Sequence, residues 1–130
     1  MLFRSSLRSD TLLVSIGLAN NEIGTVQDFP ELARIVHRAG ALIHTDAVQA
    51  AAQMDINVDR LEVDLLSLAA HKFYGPKGVG VLYVRDGVAL RRCAHGGMQE
   101  RGRRSGTENV AGIVGLATAQ IGRASCRERV

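Results

Sequence analysis

Apolar residues along this chain fall into four short runs of strand length and two stretches with helical repeat. Residues 11–16, Thr-Leu-Leu-Val-Ser-Ile, are apolar and rich in β-branched residues, between Ser9-Asp10 and a polar Asn20-Asn21-Glu22-Ile23-Gly24 turn; the run predicts a buried strand. Asp28 and Pro30 then open a helix. Leu32, Ile35, Val36 and Ala39 repeat at i, i+3, i+4 and i+7, and Gly40 stops it. Residues 41–45 read as a second strand ending at Asp46, followed by a small-residue helical piece over 47–53 and a polar connection over 54–62. A third strand at 65–67 leads into Ala69-Ala70-His71-Lys72-Phe73-Tyr74-Gly75-Pro76-Lys77-Gly78-Val79-Gly80. Residues 79–84 form a fourth strand, antiparallel to the third because too few residues separate them for a helical crossover. Residues 91–106 are a basic, glycine-rich loop without periodicity. After it Val110, Ile113, Val114 and Ala117 mark an amphipathic helix, capped by Ser105 or Thr107.

Strand, helix, strand in succession predicts an α/β domain: a mostly parallel sheet with helices on its faces. The C-terminal ends of parallel strands share one edge, where ligands of such sheets bind. Asn21, Asp46 and Lys72 each fall at or just past such an end. Singly, Asn21 reads as a turn residue, Asp46 as a helix cap and Lys72 as a solvated loop lysine. Together they predict a site, and a lysine there can hold an aldehyde cofactor through its amine when its surroundings favour loss of its proton. His71, Lys77 and Arg104 are candidate sources of the positive charge that would do so.

Composition narrows the classes. At 130 residues, 46% hydrophobic and 22% charged, the chain is one globular domain at most. Three Phe, two Tyr and no Trp argue against a base-stacking surface for single-stranded nucleic acid. No apolar run reaches membrane-spanning length, and the first residues are too polar for a signal peptide. Cys93 and Cys126 have neither metal nor redox spacing, so a reduced, cytoplasmic setting is expected. Residues 121–130, Ile-Gly-Arg-Ala-Ser-Cys-Arg-Glu-Arg-Val, resemble one translated frame of an adapter used in short-read sequencing libraries. They are expected to be a non-native tail, leaving residues 1–120 as the fold-bearing segment. Removing the tail's three arginines and one glutamate from 16 basic and 13 acidic residues leaves 13 against 12, a charge of +1. The basic balance is then no sign of a nucleic-acid partner.

The run from about Leu7 to Gln120 resembles the middle of a NifS/IscS-type cysteine desulfurase, in the class-V aminotransferase family of fold-type-I pyridoxal-phosphate enzymes. The matching motifs are Asn20-Asn21-Glu22-Ile23-Gly24, His44-Thr45-Asp46-Ala47-Val48-Gln49, residues 71–80 and Glu100 through Asn109, which contains Arg104-Ser105-Gly106-Thr107. The lysine motif is specific to the superfamily, and the Arg104–Thr107 motif favours the desulfurase branch. The resemblance implies part of the large cofactor domain of an aspartate-aminotransferase-like fold, with pyridoxal 5'-phosphate as cofactor and L-cysteine as substrate. It further implies a homodimer and a sulfur acceptor such as an iron–sulfur scaffold. Lys72 would carry the cofactor and act as base and acid. Asp46 would pair with the pyridine nitrogen, and Gln49 would hydrogen-bond the phenolic oxygen. Asn21 would orient cofactor and substrate carboxylate, His71 would donate to the phosphate, and Thr107 would reach the phosphate of the neighbouring subunit.

Two positions depart from the pattern. Ala69 stands where the family has a phosphate-binding Ser or Thr, and Met98 replaces a Gly after Gly96-Gly97. The family's N-terminal phosphate turn and stacking histidine are expected before residue 1. Its cysteine loop and substrate-carboxylate arginine are expected after residue 120, so the segment alone is expected to be inactive and neither Cys93 nor Cys126 is assigned a role. A selenocysteine lyase or aminotransferase of the same class is the alternative within the family. Outside it stand a nucleotide-binding fold, disfavoured because Gly78-Val79-Gly80 opens a strand rather than a helix, and a non-enzymatic anion-binding module using Arg91, Arg92 and Arg101 to Arg104.

Overall fold

A computed structural model describes residues 2–51 and 53–127 of the chain. A short helix, α1 (Leu2–Ser5), precedes strand β1 (Leu13–Gly17), helix α2 (Phe29–Arg38) and strand β2 (Leu42–Asp46). A one-turn helix α3 (Val58–Leu61), strand β3 (Leu65–Ala69), strand β4 (Gly80–Val84) and helix α4 (Val110–Arg127) complete the order. The strands form one sheet in sequence order; β1, β2 and β3 run parallel and β4 runs antiparallel to β3. The mostly parallel α/β sheet and its antiparallel fourth strand are as the sequence predicts.

Helix α2 forms where its end signals lie. Asp28 Oδ1 accepts the Glu31 N–H at 3.2 Å, Pro30 occupies the first turn, and Gly40 takes the left-handed φ of +78° that ends the helix. Phe29, Ala33 and Val36, at i, i+4 and i+7, are its buried stripe. They pack against Ile43 and Leu66 of the sheet, with Leu18, Val63, Ala47 and Ala50 closing the core. Thr45 is also fully buried there, and its hydroxyl donates to the Ile16 carbonyl at 3.1 Å, which satisfies the one polar side chain on this face of β2.

Several expectations are corrected. Residues 11–16 are not a fully buried strand: β1 starts at Leu13, pairs with β2 alone and alternates exposed and half-buried residues. An apolar run specifies a strand but not how many neighbours it has. Residues 47–53 are turns rather than an α-helix; Ala51 N–H to Ala47 O and Met54 N–H to Ala50 O are its helical bonds, and residue 52 lies outside the described residues. The polar connection contains α3, because Asn57 Oδ1 accepts the N–H groups of Asp59 and Arg60. Neither Ser105 nor Thr107 caps α4. Asn109 Oδ1 accepts the Gly112 N–H at 3.0 Å, while the Ser105 hydroxyl donates to the His95 carbonyl within the preceding loop.

The buried face of α4 also differs. Gly112 and Leu116 are buried, whereas Val110 and Val114 stand 65% and 58% exposed. Helix α4 meets the sheet end through Leu116, which packs on Ala70 and Phe73, and through Gly115, where an added Cβ would lie 3.1 Å from the Pro76 ring. Small residues let the helix approach closely, and that approach outweighs the larger valines. The suspected tail continues α4 as far as Arg127; residues 128–130 and the Cys126 side chain lie outside the described residues.

Candidate active site

The C-terminal ends of β1, β2 and β3 meet at one edge, and each sends a loop over it. Beyond β1, Asn20 folds the turn on itself: its Oδ1 accepts the N–H groups of Glu22 and Ile23 at 2.9 and 3.1 Å, and its carbonyl accepts that of Gly24. Asn20 and Asn21 both border the space beyond this turn. The turn is tied to β2 by the Leu18 N–H, which donates to the Asp46 carbonyl at 2.9 Å. Beyond β2, Asp46 Oδ1 accepts the Val48 N–H at 2.9 Å, an Asx turn that directs the chain through Gln49. The other carboxylate oxygen takes no hydrogen bond among the described residues, and Asp46 is exposed.

Beyond β3, residues Ala70–Lys72 form a single 3-10 turn. Ala70 and Phe73 are buried on either side of Lys72, with exposures of 0% and 1%. Phe73 and Gly75 both donate to the Ala70 carbonyl, at 3.0 and 2.9 Å, and Ala70 donates to Val79. The turn is therefore anchored from behind, and Lys72 is presented on its other side. The glycines of the motif are structural here. A Cβ on Gly75 would lie 2.8 Å from the Ala70 Cβ, and one on Gly80 would lie 2.6 Å from the Leu68 carbonyl. Tyr74 holds a left-handed φ of +66° with its side chain almost wholly exposed, a strained residue two positions from the lysine.

Asn21, Gln49 and Lys72 line one cavity of about 520 Å³, together with Gly24, Val26 and Gln53. This size lies within the range of small-molecule sites. Three loops thus bring together residues that are 51 positions apart in sequence. Asp46 sits at the end of the middle strand but does not line the cavity wall. His71 precedes Lys72 in the same turn and is exposed without lining it. Thr107 lies exposed in the loop before α4, three residues short of the helix, so the expectation that it occupies a helix N-terminus is corrected. Ala69, the last residue of β3, offers no hydroxyl, and Met98 accepts a hydrogen bond from Arg92 at its sulfur and abuts Gly102. Sequence reading overlooked the part played by Asn20. An Asx turn is signalled by Asn two positions before a free N–H, and the adjacent Asn21 drew attention from it.

The profile of the family described as Aminotransferase class-V matches residues 2–121. The chain belongs to the class-V aminotransferase family. Enzymes of this family depend on pyridoxal phosphate. Among curated relatives, the cysteine desulfurase IscS of Dictyoglomus turgidum is 54% identical over 116 residues, covering 89% of this chain and 29% of the relative. A solved NifS-like protein superposes with a TM-score of 0.89 at 48% identity, over 95% of this chain and 34% of its own. A structure described as SspA in complex with cysteine superposes with a TM-score of 0.86 at 43% identity, over 92% and 35%. This class-V aminotransferase chain therefore spans about 29% of the length of the curated relatives it matches. Its sheet is that of the NifS-like structures, and its lysine turn, asparagine turn and Asp46 lie at one edge of it.

Proposed function

We propose that this chain is the central, cofactor-holding part of a pyridoxal-phosphate-dependent cysteine desulfurase, which converts L-cysteine to L-alanine and an enzyme-bound persulfide. One observation carries the reading: the amine of Lys72 and the amides of Asn21 and Gln49 share a single cavity at the sheet edge, beside the carboxylate that ends β2. The donor set fits the cofactor. An amine for an aldehyde, a carboxylate for a pyridinium, an amide for a phenolic oxygen and an imidazole for a phosphate are all within this edge. Pyridoxal phosphate, when bound, supplies the aldehyde that captures an amino acid and the ring that accepts its electrons.

In this reading Lys72 would hold the cofactor through its amine and would serve as base and acid at the substrate Cα. The free oxygen of Asp46 would pair with the ring nitrogen. Gln49 would donate to the phenolic oxygen, Asn21 would orient the substrate carboxylate, and His71 would donate to the phosphate. Thr107, exposed and away from the chain's own cavity, serves the phosphate of a neighbouring subunit, which makes the working enzyme a homodimer. The desulfurase names of the relatives, and IscS in particular, support a sulfur acceptor of iron–sulfur assembly as partner. The exposed free thiol of Cys93 suits a reducing, cytoplasmic compartment.

The chain contains two lysines, Lys72 and Lys77, which makes the test sharp. Incubation with pyridoxal phosphate followed by borohydride reduction should fix the cofactor on Lys72, as read by peptide mass, and Lys72→Ala should abolish it. Trapping at Lys77 alone would sink the assignment. In a full-length enzyme carrying this segment, sulfide release from L-cysteine should be lost with the same substitution.

A further inference from the structure

Three polar side chains of the strands take no part in the reading above. On the sheet face opposite α2, His44 Nδ1 lies 2.7 Å from Ser15 Oγ, and His44 Nε2 lies 2.8 Å from Ser67 Oγ. One half-buried imidazole thereby links β1, β2 and β3. Both contacts are short and both ring nitrogens are engaged, so the ring is fixed in orientation. A hydroxyl donates or accepts, so the neutral ring is satisfied in either tautomer: one serine donates to the bare nitrogen and the other accepts from the N–H.

This unit closes around Asp46. His44 and Asp46 are two apart on β2, so they project to the same face about 7 Å from each other. Ser67 is the register partner of Asp46 on β3. It holds β2 on both sides of that residue: its hydroxyl meets the His44 ring, and its carbonyl accepts the Ala47 N–H at 3.1 Å. Among the strand residues on this face, Leu13, Ser15 and Gly17, Leu65, Ser67 and Ala69, and Gly80, Leu82 and Val84 carry no ionisable group, which leaves Asp46 as the titratable neighbour of His44 within the sheet. Glu100, Arg101, Arg103 and Arg104 line a cavity against β4, two strands away.

The geometry points to Ser15, His44 and Ser67 as a positioning unit that fixes the end of β2 and holds the Asp46 carboxylate for its cationic partner. The inference rests on the reading of Asp46 as the group that faces the cofactor's ring nitrogen. The positioning residues touch neither cofactor nor substrate. They act through Asp46, whose place at the end of β2 they fix.

Two measurements on the whole chain test this. The first needs no cofactor: exchange of the Ala47 and Leu18 amide hydrogens, which donate to the Ser67 and Asp46 carbonyls, is followed by NMR in the native chain, in His44→Leu and in His44→Gln. Loss of the link across β1, β2 and β3 should speed that exchange about two- to tenfold in His44→Leu, and His44→Gln should restore most of the protection. Unchanged exchange in His44→Leu overturns the positioning role. The second follows binding of pyridoxal phosphate. His44→Leu and Ser67→Ala should weaken it about two- to tenfold, the worth of one positioning hydrogen bond, whereas His44→Gln, which still meets both hydroxyls, should restore most of it. Equal affinity in all three variants overturns the positioning role, as does equal loss in His44→Gln and His44→Leu. A native chain that captures no cofactor counts against the function proposed for Lys72, while the amide exchange still decides whether the unit fixes the end of β2.

Discussion

Asp64 shows how much of this fold depends on a single side chain. It is buried at the start of β3, where Oδ2 accepts both the Ile43 N–H at 2.8 Å and His37 Nε2 at 2.9 Å. Oδ1 lies 3.9 Å from Arg85 Nε, and that guanidinium also donates to the carbonyls of Val63 and Val58. One carboxylate therefore ties the end of α2 to the first rung of β2 and to the residue after β4. Replacing it with alanine strands a buried N–H and removes the partner of the His37 and Arg85 side chains. Asp64→Ala should cost about 2–4 kcal/mol in urea denaturation. Asp64→Asn, whose amide oxygen still accepts from Ile43, should cost about 1–2 kcal/mol. Equal losses would mean that the charge, not the acceptor for Ile43, is what matters. Nothing local in the sequence marks Asp64: its partners Ile43 and His37 are 21 and 27 residues away, and it reads only as the polar start of an apolar run.

Helix α4 is the element whose pattern misleads. Its sequence is apolar or small nearly all round, so periodicity marks Val110, Ile113 and Val114 as readily as Gly112, Gly115 and Leu116. The structure buries Gly112 and Leu116 and half-buries Gly115, because glycine at 115 admits the Pro76 ring and Leu116 then reaches Phe73. Leu116→Ala should accordingly destabilise by about 2–3 kcal/mol, and Val114→Ala by less than about 1 kcal/mol; the reverse order in thermal unfolding would show that the valine face is the packed one. The other elements were far more legible. Helix α2 carries a capping Asp, a first-turn Pro and a terminal Gly, so its ends were legible; of its apolar repeat only Val36 is buried, Leu32 and Ile35 are half-buried, Ala39 is the exposed C-cap, and Phe29 and Ala33 complete the buried stripe instead. Strands β2 and β3 end at Asp46 and Ala69, within one or two residues of expectation, because apolar runs bounded by charged and turn-forming residues leave little freedom. The cap of α4 had a usable sign in Asn109 directly before the first helical residue, which the hydroxyls of Ser105 and Thr107 obscured.

At the scale of the molecule, the convergence of Asn21, Gln49 and Lys72 follows from topology alone: parallel strands in sequence order must deliver their following loops to one edge. That is why Asn21, Asp46 and Lys72 could be placed at one edge from the sequence, whereas Gln49 entered only through the family resemblance; Asp46 ends β2 there but bonds to the Val48 N–H and does not line the cavity. The same topology leaves the sheet open at both sides. Strands β1 and β4 each have one neighbour, and apolar side chains stand along them, Leu13 and Leu82 about half exposed and Leu12 more so. Free strand edges with apolar flanks invite pairing with another chain. The isolated 130-residue chain should therefore associate as its concentration rises, seen as a growing weight-average mass in sedimentation. Lysine at Leu13 and at Leu82 together should suppress that association without altering β2 or β3, since neither side chain belongs to the core between the sheet and α2. If the double variant associates as strongly as the native chain, the contacts lie elsewhere. The exposed face of α4, with Val110, Ile113 and Val114, would then be the surface to charge next.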